Sequence, residues 1–215
     1  MINYERLYAY RFQGVDRGEK AAVWAVISAY IYEQLGRPAR VLDPAAGSCE
    51  FINSVPARER WGIDRVPFDG VEVAPGTKLI VSDVMTADLP AEYFDGALVS
   101  NFLEHLPSPD AVADFLDRLR GWIRPGGRVA IMGPNYRYCS DDYWDFADHE
   151  LALTHVAIQE HLYAAGFDLV RSDPRFLPVS FRGILPPSPR LTRLYLRTPL
   201  AWRLFGKQFL VIASR

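Results

Sequence analysis

The chain has 215 residues, of which 49% are hydrophobic and 23% charged, and its formal net charge at pH 7 is −2. These values are typical of a globular domain with one sizeable core and exclude a fibrous or disordered protein. Two cysteines give no disulfide framework, the N-terminus is unlike a signal peptide and no apolar run is long enough to cross a bilayer, so we expect a cytoplasmic protein.

Segments with apolar residues at helical spacing alternate along the chain with short apolar runs. This alternation predicts an α/β domain, doubly wound, with a mostly parallel sheet and helices on both faces. Helices are predicted at residues 4–12, 18–35, 110–122 and 155–165. Strands are predicted at residues 40–43, 61–64, 78–82, 94–100, 128–132, 167–172 and 208–213.

The stretch 41–51 is the most informative part of the sequence. Asp43 ends the first strand, small residues follow, and a helix is predicted to begin at Ser48. Such a turn lets a ligand approach the backbone and the free N–H groups of the helix. The three glycine positions of a Gly-x-Gly-x-x-Gly dinucleotide motif hold Ala45, Gly47 and Glu50. With one glycine of three and an acid at the last position, the loop favours a ligand with a positive centre over a pyrophosphate.

At this loop the chain resembles the class I S-adenosylmethionine-dependent methyltransferases. Their first motif is an acid followed by alternating small residues, and this chain reads Asp-Pro-Ala-Ala-Gly-Ser-Cys over residues 43–49. The resemblance continues with Asp64 after the second strand, Asp83 after the third and the run Asn101–Leu106 after the fourth, and covers residues 38–172. It implies a Rossmann-like, seven-stranded sheet whose last strand is antiparallel. It also implies methyl transfer from S-adenosyl-L-methionine, which leaves S-adenosyl-L-homocysteine.

The resemblance places the cofactor at the carboxyl ends of the first four strands. Asp64 would accept hydrogen bonds from the ribose hydroxyls, and Asp83 with the backbone of Val84 would hold the adenine. The implied cofactor-binding residues are Asp43, Ala45, Gly47, Asp64, Arg65, Asp83, Val84, Asn101 and Phe102. Glu104 and His105, by contrast, are interpreted as structural polar groups at the start of a helix.

Two departures from the family pattern carry structural expectations. Ala45 and Cys49 have Cβ atoms where the family usually has none, and these atoms are expected to crowd the cofactor. Only 18 residues lie between Asp64 and Asp83, and they include prolines and glycines, so a loop is predicted in place of the usual crossover helix. Three apolar residues of that loop have two possible roles: Val66, Phe68 and Val71. They could cover the adenine at the rim of its pocket, or they could pack in the core.

The segment 133–149, after the fifth strand, is rich in aromatic and polar residues, and the family places its acceptor there. Tyr136 and Tyr143 are the predicted acceptor contacts. His149 and His155, with Asp148 as an orienting carboxylate, are the candidate general base for a hydroxyl acceptor. Two alternatives stay open. The histidines could be metal ligands, although no metal is assigned, or they could be polar groups at a helix start.

The C-terminal part of the chain is strongly basic. From Pro174 onward it carries eight basic residues and no acid, whereas residues 1–173 carry 16 basic and 26 acidic residues. A Pro-rich link and an amphipathic basic helix, broken near Pro199, are predicted before the last strand. Arg190 and Arg193 are the predicted contacts of an anionic acceptor. The alternatives are peripheral contact with an anionic membrane and pairing with the acidic body of the same chain.

These features predict one methyltransferase domain over residues 1–215, with a helical lid at 1–36, a cofactor-binding core at 38–172 and a basic insertion at 174–206. We expect methyl transfer to a hydroxyl or carboxyl group of a small molecule, such as a sugar or another anionic biosynthetic intermediate. The alternatives are an NAD(P)-dependent oxidoreductase and a non-catalytic binding protein of the same fold. Nucleic acid is a less favoured acceptor, because the body of the chain is acidic.

Overall fold

The chain folds around a seven-stranded sheet, seen in a computed structural model that describes residues 2–65, 72–178 and 188–215. The strands are β1 (Arg40–Asp43), β2 (Glu59–Asp64), β3 (Thr77–Val81), β4 (Phe94–Ser100), β5 (Ile123–Pro134), β6 (Asp168–Asp173) and β7 (Gln208–Ser214). The helices are α1 (Tyr4–Arg11), α2 (Arg17–Gln34), α3 (Glu50–Ser54), α4 (Pro109–Trp122), α5 (Tyr136–Tyr143), α6 (His155–Ala164), α7 (Pro189–Leu196) and α8 (Pro199–Phe205), with a 3₁₀ turn at Leu103–His105. Within these described ranges, no helix is both long and apolar enough to cross a bilayer.

The strands follow the order β3-β2-β1-β4-β5-β7-β6. Strands β1 to β5 are parallel, and β7 runs antiparallel to both β5 and β6. The predicted Rossmann-like, mostly parallel sheet with an antiparallel last strand is therefore confirmed. Because the chain turns from β1 outward to both sides, the carboxyl ends of β1 and β4 form the switch point where such sheets bind ligands.

Both faces of the sheet are covered by helices, as the sequence predicts. One hydrophobic cluster joins α4 and α6 to the sheet, and the other joins α2, α3 and α7 to the opposite face. Neighbouring strand residues alternate between the two, since Val41 packs in the second cluster and Leu42 in the first. A strand buried on both faces reads as a continuous apolar run, which is why β1 and β4 are recognisable in the sequence.

Some boundaries differ from the expected ones. Helix α3 begins at Glu50 rather than at Ser48, because Cys49 takes a left-handed conformation (φ 62°) and ends the loop. Strand β5 begins at Ile123 rather than at Arg128, because Ile123 already pairs with β4. The Pro-Gly-Gly turn that follows shifts the register of this pairing without ending the strand. Helix α5 has no counterpart among the predicted elements. The predicted break near Pro199 is confirmed between α7 and α8.

The predicted loop after β2 falls partly outside the described residues. Val66, Phe68 and Val71 all lie there, so the lip over the adenine stays a prediction. The described residues 72–76 contain no helix before β3 begins at Thr77.

Candidate active site

The loop after β1 is held by the carboxylates of two strand ends. Asp43 is buried, and its Oδ1 accepts a hydrogen bond from the Ala45 N–H at 3.3 Å. Asp64, at the end of β2, accepts one from the Gly47 N–H at 2.7 Å. Burial raises the pKa of Asp43 to about 8, and the charges of Asp64 and Glu50 add to the shift. Both acids therefore shape the loop, and Asp43 does so from beneath its surface.

The space over this loop is open. Within the described part of the chain, no atom beyond the two neighbouring residues lies within 4 Å of the place where a side chain on Gly47 would begin. This glycine has a positive φ of 50°. Cys49 does not crowd this space, contrary to expectation, because its side chain is buried in the core with α2 and α3. Ala45 stays partly exposed. Glu50, expected to favour a ligand with a positive centre, is already paired with Lys20 at 2.6 Å.

The ends of β2 and β3 form the second part of the edge. One oxygen of Asp83 accepts a hydrogen bond from the Met85 N–H at 2.8 Å, and the other lies 3.9 Å from Nη1 of Arg65. Val84 is buried beside them. Two strand-end acids thus flank an open surface, which fits the ribose and adenine of an adenosine group.

The end of β4 lies next to the loop. Asn101 has a positive φ of 49°, a conformation that Asn tolerates better than most residues, and its N–H donates to the Met132 carbonyl at 2.8 Å. Its side chain is exposed, and the neighbouring Phe102 packs edge-on against Phe115. The predicted cofactor residues are therefore brought to one edge of the sheet, and the open space and the acids there fit S-adenosylmethionine.

Helix α1 lies across this edge. At one end the guanidinium of Arg65 lies over the ring of Tyr4 at 5.3 Å. At the other end Arg11 forms a bidentate ion pair with Asp148. Burial raises the pKa of Tyr8, between these ends, and the charges of Asp148 and Asp64 add to the shift. Helix α1 therefore spans the distance from the end of β2 to the segment between α5 and α6, where a lid would lie.

Beneath the far end of α1, three side chains form what we call the Glu-His-His cluster: Glu104, His105 and His149. One oxygen or nitrogen atom from each lies within 4.8 Å of those of the other two. Glu104 is 3% exposed, and burial raises the pKa of its carboxyl group. Burial also lowers the pKa of His149 to about 4, so its imidazole is neutral at pH 7. Its Nδ1 has no hydrogen-bond partner among the described residues.

Asp148 does not orient either predicted histidine base. It is 2% exposed and binds Arg11, while its backbone carbonyl accepts a hydrogen bond from His105 Nδ1 at 2.7 Å. Burial opposes its ionisation, yet the Arg11 hydrogen bonds hold the pKa of Asp148 below its usual range. The predicted role of Asp148 as the carboxylate that orients His149 or His155 is therefore corrected, because its oxygens are buried and bound to Arg11.

The predicted role of His155 as a base is corrected as well, because its Nδ1 is bound by a side chain of the protein. The amide nitrogen of buried Asn135 lies 3.0 Å from His155 Nδ1 and also donates to the Pro174 carbonyl at 2.8 Å. Nδ1 then accepts, so the proton sits on Nε2 and the one lone pair of the ring is engaged by Asn135. Thr154 caps α6 through the Ala157 N–H, as in the structural alternative.

The predicted acceptor contacts have different surroundings. Tyr143 is 1% exposed, and its hydroxyl donates to the Leu151 carbonyl and accepts from the Leu153 N–H. It supports the cluster from the core, so its assignment as a direct contact is corrected. Tyr136 is partly exposed and packs edge-on against Tyr143. Arg190 and Arg193 lie on the exposed side of α7, which packs mainly on α2 and α8.

Sequence reasoning missed the roles of Glu104, His105 and Arg11. The Glu-His pair after β4 was visible in the sequence, but nothing there showed that His149 lies beside it. Arg11 is 137 residues from its partner Asp148, and no local pattern could have joined them.

Residues 32–131 match the sequence profile of a family described as a methyltransferase domain. The match covers 100 of the 215 residues, so over that stretch the chain is similar to methyltransferase domains. This similarity supports S-adenosylmethionine as the cofactor and methyl transfer as the activity. None of the curated protein sequences matches the chain.

Solved structures show the same fold at low identity. A S-adenosylmethionine-dependent methyltransferase from Archaeoglobus fulgidus is 21% identical with a TM-score of 0.65, and the match covers 99% of this chain and 100% of that one. The 1,6-didemethyltoxoflavin N1-methyltransferase from Burkholderia thailandensis, with bound S-adenosylhomocysteine, is 21% identical with a TM-score of 0.61, covering 99% and 88%. The N-methyltransferase NodS from Bradyrhizobium japonicum is 13% identical with a TM-score of 0.59, covering 93% and 98%.

Proposed function

We propose that this chain is an S-adenosylmethionine-dependent methyltransferase and that it acts on an oxygen atom of a small molecule that lies against the Glu-His-His cluster. The observation that carries the proposal is the position of the cluster. It follows the end of β4, and the side chain of Glu104 lies against Gly133 near the end of β5. Asn101, at the same strand end, lines the edge assigned to the cofactor. An acceptor at the cluster would therefore lie beside the cofactor's reacting end.

Bound S-adenosylmethionine supplies a methyl group that is already activated by the sulfonium charge. The protein then has to orient the acceptor, keep water out and hold the acceptor's proton. Orientation alone can supply about 7–11 kcal/mol of the barrier. Helix α1 and the rings of Phe146 and Tyr143 cover the cluster from two sides, which limits access of water.

His149 is the group that we propose to face the acceptor oxygen. Its imidazole is neutral at pH 7, and its Nδ1 is buried without a hydrogen-bond partner among the described residues. A hydroxyl proton, or an ion that holds the oxygen, can take that position. A base that removes a hydroxyl proton typically contributes roughly 10²–10⁴-fold in rate. A carboxylate acceptor would need orientation only.

The choice of acceptor is supported by the cluster and not by the similar structures. The toxoflavin enzyme is named for a nitrogen acceptor, and so is NodS. A small-molecule acceptor agrees with the first of these names, and the acidic body of residues 1–173 disfavours nucleic acid.

Two measurements test this function. Calorimetric titration should give binding of S-adenosylhomocysteine and none of NAD, and NAD binding in its place would support an oxidoreductase. Turnover is then followed as S-adenosylhomocysteine release with a panel of nucleotide sugars, phenols and hydroxy acids. No release with any of them, despite cofactor binding, would favour a binding protein.

The His149→Ala variant tests the assigned site. We expect turnover to fall at least 100-fold while the affinity for S-adenosylhomocysteine stays within a few-fold. His161→Ala, on α6 and outside the cluster, is the matched control and should leave both quantities unchanged. Near-normal turnover of the His149 variant would remove the cluster from the reaction.

For the basic insertion we propose contact of α7 and α8 with an anionic membrane. Their inner side is fixed to the body, where Trp202 packs on Phe176 and the Tyr195 hydroxyl donates to the Phe176 carbonyl. Five large apolar side chains, 46–72% exposed, remain on the outside: Leu191, Leu194, Leu200, Leu204 and Phe205. Four arginines beside them have no ion-pair partner among the described residues: Arg190, Arg193, Arg197 and Arg203. Leucines and arginines together on short helices favour the surface of an anionic bilayer.

Vesicle flotation tests this contact. The protein should float with vesicles of phosphatidylcholine and phosphatidylglycerol and stay behind with phosphatidylcholine alone. Replacement of Leu194, Leu200 and Leu204 by Gln should abolish flotation, whereas Tyr163→Gln, an equally exposed change on α6, should not. Retention of flotation by the triple variant would refute the contact. A cytoplasmic location, which such a contact would accommodate, stays a prediction from the sequence.

A further inference from the structure

The Glu-His-His cluster joins one carboxylate and two imidazoles from two distant segments of the chain. Glu104 and His105 belong to the 3₁₀ turn after β4, and His149 lies between α5 and α6. We propose that this cluster binds a divalent transition-metal ion, which in turn holds an oxygen atom of the acceptor. The second part rests on the proposed function, whereas binding of the ion does not.

Both histidines have a nitrogen free to bind an ion. His105 donates its Nδ1 hydrogen to the Asp148 backbone carbonyl at 2.7 Å, which fixes the tautomer and leaves the lone pair on Nε2. A hydrogen bond of this kind, from the far nitrogen of a ligating histidine to a carbonyl, is the usual second contact in protein metal sites. His149 has an unpartnered and buried Nδ1 within the described chain.

The third proposed ligand is the carboxylate of Glu104, which has no ion-pair partner among the described residues. Glu104 is 3% exposed, and no lysine or arginine among the described residues forms an ion pair with it. A buried charge is costly unless it is paired or binds a metal. Arg11 is bound to Asp148, so its charge is largely offset there. A divalent ion would supply the missing positive charge.

The backbone holds the two segments in register. The Glu104 carbonyl accepts hydrogen bonds from the N–H groups of Glu150 and Leu151, at 2.8 and 3.1 Å. The His149 ring is stacked on Phe146 and packs against Tyr143 at 4.7 Å. Metal–nitrogen bonds of about 2.1 Å bring two ligand atoms to roughly 3–4 Å from each other. The ligand atoms lie within 4.8 Å of one another, so ion binding requires the three side chains to move closer together.

The donor set indicates which ions fit. Two imidazoles and one carboxylate suit Zn²⁺, Mn²⁺, Fe²⁺, Co²⁺ or Ni²⁺ better than Ca²⁺ or Mg²⁺, which prefer oxygen ligands. Three protein ligands leave further positions open, and an acceptor oxygen bound there would lose its proton more readily. This site differs from the metal alternative drawn from the sequence, which paired His149 with His155.

The test uses the full chain, stripped with a chelator and titrated with Co²⁺ and Zn²⁺. We expect one ion per chain by calorimetry and a visible absorption band for the Co²⁺ complex. His149→Ala and Glu104→Gln should each weaken binding at least tenfold, and the second of these changes preserves the shape of the side chain. His161→Ala and His155→Ala, the other two of the four histidines, should keep the affinity within twofold.

Absence of binding below millimolar ion concentration would overturn the proposal, and so would equal affinities in all four variants. If the His149 variant fails to fold, the affinity of Glu104→Gln and the Co²⁺ spectrum still show whether the cluster binds the ion. Titration with S-adenosylhomocysteine is carried out in parallel. A protein that binds the ion but never turns over would refute the proposed function and leave the metal site standing.

Discussion

The two halves of the sheet edge are built differently. On the side of β1 to β3, Asp43, Asp64 and Asp83 accept hydrogen bonds from backbone N–H groups within a short distance along the chain or from a neighbouring strand. On the side of β4 and β5, Glu104 and Asp148 are buried among histidine and aromatic rings, and their partners come from distant segments. The first half shapes a surface for a ligand. The second half ties three parts of the chain together, so we expect substitutions there to affect folding as well as binding.

The largest effect on stability is expected from Asp148→Ala. This change leaves Arg11 without its partner and removes the anchor of α1, and breaking a buried ion pair costs about 3–5 kcal/mol. Chemical denaturation of the cofactor-free protein measures it. Asp142→Ala breaks the exposed pair with Lys207 and should cost under about 1 kcal/mol. Equal costs for the two changes would contradict the proposed contrast between the halves.

On the side of β1 to β3, Asp64→Ala should reduce the affinity for the ligand more than it reduces the stability of the fold. The loop loses the acceptor of the Gly47 N–H, and the proposed ribose contact disappears. Two hydrogen bonds to a charged group correspond to roughly 3 kcal/mol, or about a 100-fold loss of affinity for S-adenosylhomocysteine. Calorimetry provides the affinity, and Asp168→Ala, at an exposed position on β6, serves as the control. Unchanged affinity would show that Asp64 is purely structural.

A pH series distinguishes Asp43 from its neighbours. Because the pKa of Asp43 in the folded chain is about 8 and that of an unfolded Asp is about 4, the folded state binds the extra proton between these values. Its contribution to stability is therefore present at acid pH and is lost as the pH rises towards 8, by at most about 1.4 kcal/mol per unit. Asp43→Asn cannot titrate, so its stability relative to the wild type should improve from pH 5 to pH 8. Parallel stability curves would mean that Asp43 is ionised in the cofactor-free protein.

The smallest effect is expected for Tyr143→Phe. The change removes a hydroxyl that bonds the backbone of Leu151 and Leu153 below the cluster, which costs about 1 kcal/mol. Turnover should stay within a few-fold, because the hydroxyl does not reach the acceptor side. Tyr163→Phe on the exposed face of α6 is the control for stability. A large loss of turnover without loss of stability would restore Tyr143 as a direct contact.

Much of the fold could be predicted because its signals are local. The apolar runs of β1 and β4 are buried on both faces, and the spacing of apolar residues in α2 and α4 follows from one helix turn to the next. Helix α5 was missed because its segment is aromatic and polar, with a non-helical Cys139 inside it. The position of α5 depends on contacts such as the hydrogen bond from the Tyr143 hydroxyl to the Leu151 carbonyl. Such contacts cannot be predicted from the spacing of apolar residues.

The site divides in the same way. The residue pattern is enough to predict the strand-end acids and the loop between Asp43 and Glu50, because a strand, a turn and a helix in succession dictate where their carboxylates and N–H groups lie. It did not determine the direction of the Cys49 side chain, which depends on one left-handed φ angle. Only the tertiary structure placed Glu104 and His105 beside His149 and joined Arg11 to Asp148. These contacts depend on how distant segments pack over the sheet edge, and that packing is settled by the whole core rather than by neighbours in sequence.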